Sequence, residues 1–87
     1  MKLSVLAAKL NGELHGPDGN AEVSGVSTIQ DATSRQICYY GNRKYRKYLK
    51  TTRALALICD ELQETTASNQ IVVPSAYHAF RRTLEIF

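Results

Sequence analysis

Three side chains near the middle of the sequence have types and spacing that suit a planar heterocycle. Tyr39, Asn42 and Tyr45 recur at three-residue intervals, so two aromatic rings flank one amide. Such rings sandwich the faces of a nucleobase, and the amide offers a donor and an acceptor to its edge. Around them stand Arg43, Lys44, Arg46, Lys47, Lys50 and Arg53, six of the eleven basic residues, with no acid among them. A cluster like this is an electrostatic footprint for an anion. Arg43, Lys44 and Lys47 are the candidate phosphate contacts, because they open a helix whose N-terminus favours negative charge. On an α-helix Arg43, Lys47 and Lys50 would line one side, while Lys44 and Arg46 diverge. A plainer reading stays open beside this one. In it Tyr39 and Tyr45 are core aromatics, Asn42 is only a cap and the cations form a solvated face.

The elements that must hold these residues follow from periodicity and turn chemistry. Leu3, Leu6, Ala7 and Leu10 fall at i, i+3, i+4 and i+7, which predicts a first helix with one apolar stripe, ended by Asn11-Gly12. Glu13–Gly16 is a short strand, residues 16–20 (GPDGN) a turn, and Glu22–Val26 a second strand by its alternation. Thr28–Arg35 holds one helical turn and a loop. Gln36–Tyr40 is β-favouring, Gly41-Asn42 breaks it, and Asn42 caps a helix from Arg43 to Lys50 on which Tyr45, Tyr48 and Leu49 share a face. Residues 54–59 (ALALIC) form a continuous apolar run, as in a strand buried on both faces. Residues 60–70 read as an exposed acidic loop and Ile71–Val73 as a short buried strand. Pro74 then starts a last helix with Tyr77, Phe80, Leu84 and Phe87 on a stripe. Strands alternating with helices predict an α/β domain, with a small mixed sheet of about five strands flanked by about three helices.

Composition bounds the function. At 87 residues the chain is one domain, expected to span 1–87, with room for one core and a shallow site. No apolar run approaches the length of a membrane span, and Lys9 interrupts the apolar N-terminal stretch, so a cytoplasmic protein is expected rather than a secreted one. Cys38 and Cys59 sit inside apolar runs and read as free, buried thiols, with a cross-strand disulfide as the alternative. Together with His15 and His78 they lack metal-ligand spacing, so no metal and no cofactor is expected. Neither histidine has a partner carboxylate or nucleophile at a suggestive spacing. No catalytic residue is therefore assigned, and the chain by itself is expected to be non-catalytic.

The segments VSGVSTIQDA (23–32), ICYYGNRKYRKYLKTTRALALI (37–58) and residues 71–80 carry a family resemblance over nearly the whole chain. They resemble the N-terminal domain of UDP-3-O-(3-hydroxyacyl)glucosamine N-acyltransferase, an enzyme family of lipid A biosynthesis. Its most specific part is the pattern aromatic-x-x-Asn-x-Lys-Tyr followed by Thr51-Thr52-Arg53-Ala54. The resemblance implies that this domain holds the uridine of a UDP-acylglucosamine. Tyr39 takes the place of the first uracil-stacking aromatic, usually Phe. Asn42 takes that of the uracil-bonding amide, and Tyr45 that of the second stacking ring. It also implies that acyl transfer and acyl carrier protein binding belong to a hexapeptide-repeat β-helix that these residues lack. The family is trimeric through that β-helix, and this segment is expected to be monomeric. Arg43 stands where the family usually has Pro, and Arg35 where it favours Gly, which bears on the helix start and on the turn before the strand. Val23-Ser24-Gly25-Val26 also resembles the N-terminal domains of the Mur ligases, which hold UDP-linked substrates.

Two functions follow for the same residues. The first is a uridine-nucleotide recognition domain. The second is a non-catalytic module for single-stranded nucleic acid, using basic residues interleaved with tyrosines. The small net charge of +3 and the grouping of tyrosines at one loop favour the first.

Overall fold

The computed structural model describes residues 1–87. Five strands form one mixed sheet in the order β1-β5-β4-β3-β2. They are β1 (Glu13–His15), β2 (Gly25–Val26), β3 (Gln36–Tyr39), β4 (Ala56–Cys59) and β5 (Asn69–Val72). Strands β2 to β5 run parallel, each beside its successor, and β1 is antiparallel to β5 at the far edge. Three helical segments complete the expected α/β fold: α1 (Leu3–Lys9), a 3-10 helix (Arg43–Lys50) and α2 (Ala76–Ile86).

Alternation along the strands divides the core into two clusters, one on each face of the sheet. On one face Ile37, Ala56, Ile58 and Ile71 meet Leu3, Leu6, Ala7 and Leu10 of the first helical stretch and Ala76 and Ala79 of α2. On the other, Cys38, Leu57 and Cys59 meet Leu49 of the 3-10 helix and Ile29 and Ala32 of the loop after β2. β4 lies in the middle of the sheet and all four of its residues are buried, as the apolar run requires. Both cysteines are free and buried. Loss of hydration pushes the Cys38 thiol up to about 12 and the Cys59 thiol up to about 11. Asp60 and Glu61 add to the shift at Cys59.

The start and stop of α1 show how little sequence these elements need. Asn11 adopts a positive φ of 53°, and the N–H groups of Asn11 and Gly12 return to the carbonyls of Ala8 and Ala7. That pair closes the helix with asparagine in the left-handed position. At its start no side chain caps it; the carbonyls of Ala21 and Gly19 accept from the Leu3 and Ser4 N–H groups instead.

Several expectations are corrected. The strand expected over Glu22–Val26 is only Gly25–Val26, because Glu22 pairs in an isolated bridge with Lys2 and draws the chain toward α1. α2 begins at Ala76, with Ser75 and not Pro74 at its cap. Its buried face is Ala76, Ala79 and Thr83, whose small size lets the helix lie close over β3 and β4. Of the expected stripe only Phe80 is half-buried, while Tyr77, Leu84 and Phe87 stay exposed. The acidic loop ends at Ser68, because Asn69 and Gln70 belong to β5. Asn69 is buried: its amide donates to the Leu55 carbonyl at 2.8 Å and to Asp18 Oδ2 at 2.9 Å, and its oxygen accepts the Asp18 N–H at 3.0 Å. No helix is long and apolar enough to cross a membrane.

Candidate functional site

The strands set the site's position before any side chain does. Parallel strands β2 and β3 end at Val26 and Tyr39, and a cavity of about 350 Å³ opens just beyond their carboxyl ends. Ligands of α/β folds bind in this place, where loops diverge from the sheet. Tyr39 closes β3 on the α2 side, and Tyr40 follows it on the opposite face, beside the cluster under the 3-10 helix. The chain then turns through Gly41 and Asn42 into the 3-10 helix. Tyr39, Asn42 and Tyr45 all line the one cavity, with Val26 to Gln30 forming its opposite rim and Phe80 its floor on the α2 side.

Each predicted side chain has a definite setting. The Tyr39 ring stacks on Phe80, centroids 5.0 Å apart and planes 22° apart, and meets Tyr77 edge-on at 6.5 Å. It also lies against Gly41, where an added Cβ would come within 2.6 Å of its Cε2 and Oη atoms. Gly41 is therefore fixed by close approach to the ring. Asn42 is extended (φ −124°, ψ 118°), and its Oδ1 accepts the Lys44 N–H at 3.0 Å, so it is a helix cap as well as a cavity residue. Tyr45 is 37% exposed, with one side on the cavity and its ring 6.2 Å from that of Tyr48. Tyr39 thus packs against the core cluster beneath α2, Asn42 and Tyr45 are exposed, and all three line the cavity.

The cations are arranged otherwise than expected. A 3-10 helix has three residues per turn, so side chains three apart eclipse. Arg43 and Arg46 share one row, Lys44, Lys47 and Lys50 a second, and Tyr45 and Tyr48 a third. The alignment of Arg43 with Lys47 and Lys50 does not occur. Arg43 and Arg46 line a separate recess with Asp60, Glu61 and Gln63, on the far side of Tyr40 and Gly41 from the aromatic cavity. Lys44 Nζ lies 5.9 Å from the Tyr45 ring centroid, and Lys47 Nζ 5.2 Å from that of Tyr48. Arg53 lines a third recess with Asp31. Of the three candidate phosphate contacts, Arg43 lines the neighbouring recess, which shares Tyr40 and Gly41 with the cavity, Lys44 stands beside the ring of Tyr45, and Lys47 lies one turn further on. Leu49, in the arginine row, is buried under the loop, where its carbonyl accepts from Thr65 and Thr66.

The histidines lie apart from this site. His15 does have a carboxylate neighbour, Glu13, with Nε2 to Oε1 at 2.5 Å. The two sit i and i+2 on β1, hence on one face, at the sheet edge opposite β2. His78 is exposed on α2. No three His, Cys, Asp or Glu side chains are grouped to hold a metal ion. The rim from Val26 to Gln30 and the floor residue Phe80 escaped the sequence reading. A polar segment, Ser27-Thr28-Ile29-Gln30, directly after a parallel strand was the available signal for the rim. Phe80 carried none beyond its place in an apolar stripe.

The family model for UDP-3-O-(3-hydroxymyristoyl) glucosamine N-acyltransferase, LpxD, matches residues 20–86, and that match takes in every wall of the cavity. The chain belongs to this family. It is similar to proteins named UDP-3-O-acylglucosamine N-acyltransferase from several bacteria. It is 38% identical to that of Pseudomonas fluorescens over 88 aligned positions, covering 100% of this chain and 25% of the relative. Against that of Francisella tularensis subsp. holarctica the identity is 37% over 86 residues, 98% of this chain and 25% of the relative. Against that of Anaeromyxobacter dehalogenans it is 33% over 86 residues, 98% and 24%. The chain spans about a quarter of the length of the curated relatives it matches.

Proposed function

We propose that this chain binds the uridine part of a UDP-acylglucosamine, as the nucleotide-recognition domain of an N-acyltransferase of lipid A biosynthesis in the cytoplasm. The observation that carries the reading is the convergence of Tyr39, Asn42 and Tyr45 on one cavity at the carboxyl ends of β2 and β3. Stacking on two rings supplies affinity for any flat base, and the amide supplies the edge contact that selects one. A volume of about 350 Å³ is at the small end of ligand sites, enough for a base and part of its ribose but not for a whole nucleotide-sugar. The diphosphate then leaves the cavity past Lys44. Acyl transfer and contact with an acyl carrier protein fall to the part of the family's proteins that residues 1–87 do not include. The names of the relatives support a UDP-linked acylglucosamine as the ligand.

The test is a titration of the 87-residue chain with UMP, AMP and a poly-U oligomer, followed by NMR at low and moderate salt. UMP should bind more tightly than AMP, with shifts confined to residues 26–30, 39–45 and 80. Tyr45→Ala should weaken UMP by about 1–3 kcal/mol, the range for loss of one base-stacking ring. Tight oligomer binding with a steep salt dependence, and no UMP binding, would transfer the site to single-stranded nucleic acid. The division of the helix cations into two rows, with Arg53 in a separate recess, sets them poorly for tracking a continuous backbone.

A further inference from the structure

The basic segment over residues 43–53 is only partly matched by acid. None of its six cations forms an ion pair; the two pairs of the fold join the N-terminus to Glu22 and His15 to Glu13. Arg43 and Arg46 share a recess with Asp60 and Glu61, and Arg53 shares one with Asp31. Lys44, Lys47 and Lys50 have no such counter-charge. They eclipse one another along the 3-10 helix, all three are exposed, and they line neither the aromatic cavity nor either recess. The neighbours that Lys44 and Lys47 do have are the rings of Tyr45 and Tyr48. Leu49 anchors the helix to the sheet from another row, which leaves the lysine row to solvent. At about 2.0 Å per residue the row is about 12 Å long. Outside the segment, five basic residues face eight acidic ones, so the rest of the chain is net negative.

We infer that the lysine row docks this chain on the surface of an anionic lipid bilayer, with phosphate headgroups as its counter-charge. The inference stands on this row and not on the uridine reading. A small anion is held by donors that converge in a concavity, and these three lysines converge on none. An exposed row suits a charged plane, which meets all three ammonium groups at once. A single strand of nucleic acid would have to follow a path that the cations do not mark. Tyr45 and Tyr48 stand in the next row, and tyrosine is enriched where a bilayer meets water, because its ring is apolar and its hydroxyl polar. The charge asymmetry fixes the orientation, since the net-negative remainder is repelled by the same surface. Each basic residue held near an anionic leaflet raises partitioning about fivefold, so the row supplies about 150-fold.

The test is sedimentation of the 87-residue chain with vesicles of equal parts phosphatidylglycerol and phosphatidylcholine, and with vesicles of phosphatidylcholine alone. The chain should sediment with the first and not with the second. Salt should release it, since the screening length falls from about 10 Å at 0.1 M to about 3 Å at 1 M. Replacing Lys44, Lys47 and Lys50 together by Gln should lower partitioning by about 150-fold. The melting temperature should hold, because the three side chains are exposed and make no ion pair. The control removes equal charge from exposed positions on the helices of the opposite sheet face, through Lys9→Gln, Arg81→Gln and Arg82→Gln, and should keep the parent's binding. Failure of the parent to partition onto the anionic vesicles would overturn the inference. Equal losses in the two triple variants would do so as well, because net charge and not the row would then be the cause. Tighter binding to a poly-U oligomer than to the vesicles, at one salt concentration, would give the row to nucleic acid instead.

Discussion

Replacing Gly41 by alanine should separate the cavity from the fold. Gly41 has no positive φ, so alanine meets no backbone strain there. The new methyl would, however, lie 2.6 Å from Cε2 and Oη of Tyr39 and 2.8 Å from Cζ, against an ordinary contact of 3.4–4 Å. The Tyr39 ring must therefore move by about 1 Å, since carbon atoms settle roughly 3.5–4.0 Å apart. It cannot do so freely, because it is stacked on Phe80 and edge-on to Tyr77. Disturbing one such aromatic pair costs about 0.5–1.5 kcal/mol. The alanine returns about 0.4–1 kcal/mol by restricting the unfolded chain. Net stability should thus stay within about 1 kcal/mol of the parent, a small shift in a domain of this size where 1 kcal/mol moves the midpoint by roughly 4–8 °C. Binding has no such compensation. A displaced first ring should weaken UMP by about 1–3 kcal/mol, or roughly 5- to 150-fold. Thermal unfolding and UMP titration on the same sample measure both. Gly25→Ala is the control, since a Cβ there meets nothing within 4 Å. Unchanged UMP affinity in Gly41→Ala, with the Tyr39 ring resonances shifted, would refute the assignment of Tyr39 as a wall of the base site.

Two further expectations concern the scaffold. Asn69→Leu should cost about 1–3 kcal/mol in urea unfolding, because it strands the Leu55 carbonyl and breaks both bonds to Asp18; an unchanged midpoint would show that the turn over residues 16–20 is not tied to the sheet through Asn69. The thiols of Cys38 and Cys59 ionise near 9.0 in the unfolded chain and only near about 12 and about 11 in the folded one. The folded state thus binds more protons above pH 9. The stability this supplies is whole below that pH and is lost as pH climbs through the folded values, by about 1.4 kcal/mol per unit for each thiol. Urea unfolding on either side of pH 9 should show a decline that Cys38→Val makes shallower, and an equal decline in both chains would refute the cause.

What the sequence disclosed, and what it withheld, divides by the range of the interactions. The α1 stripe, the Asn11 stop, the buried run at β4 and the Asn42 cap depend on neighbours a few residues away, and each was legible. The three proposed base-site residues were legible for the same reason, because they lie within one loop and one helical turn. The helix type was not. Tyr45, Tyr48 and Leu49 sit at i, i+3 and i+4, a pattern that fits an α-helix as well as a 3-10 helix. Only the tie of the Leu49 carbonyl to Thr65 and Thr66, from the loop after β4, marks how this segment is held. That difference re-sorted the cations and set Arg43 with Arg46 in the recess next to the cavity. Asn69 was hidden for a related cause: a polar residue in a polar run looks exposed unless its partners, Asp18 and Leu55, are known.

The same division explains why the cavity needs the whole fold although three neighbouring residues characterise it. Tyr39 and Tyr40 are consecutive on a strand, so their rings must leave on opposite faces of the sheet. Tyr39 is fixed by Phe80 of α2 and Tyr40 by the cluster beneath the 3-10 helix. Between Tyr40 and the 3-10 helix the backbone has only Gly41 and Asn42 in which to turn, and beyond that turn Tyr45 lines the same cavity as Tyr39. The second wall of the cavity thus depends on packing of the face from which the first wall is absent. A destabilised Cys38–Leu49–Leu57 cluster would shift Tyr45 through the 3-10 helix and leave the Tyr39–Phe80 stack intact. The two rings of the proposed site are therefore set from opposite faces of one sheet, and Gly41-Asn42 joins their anchors.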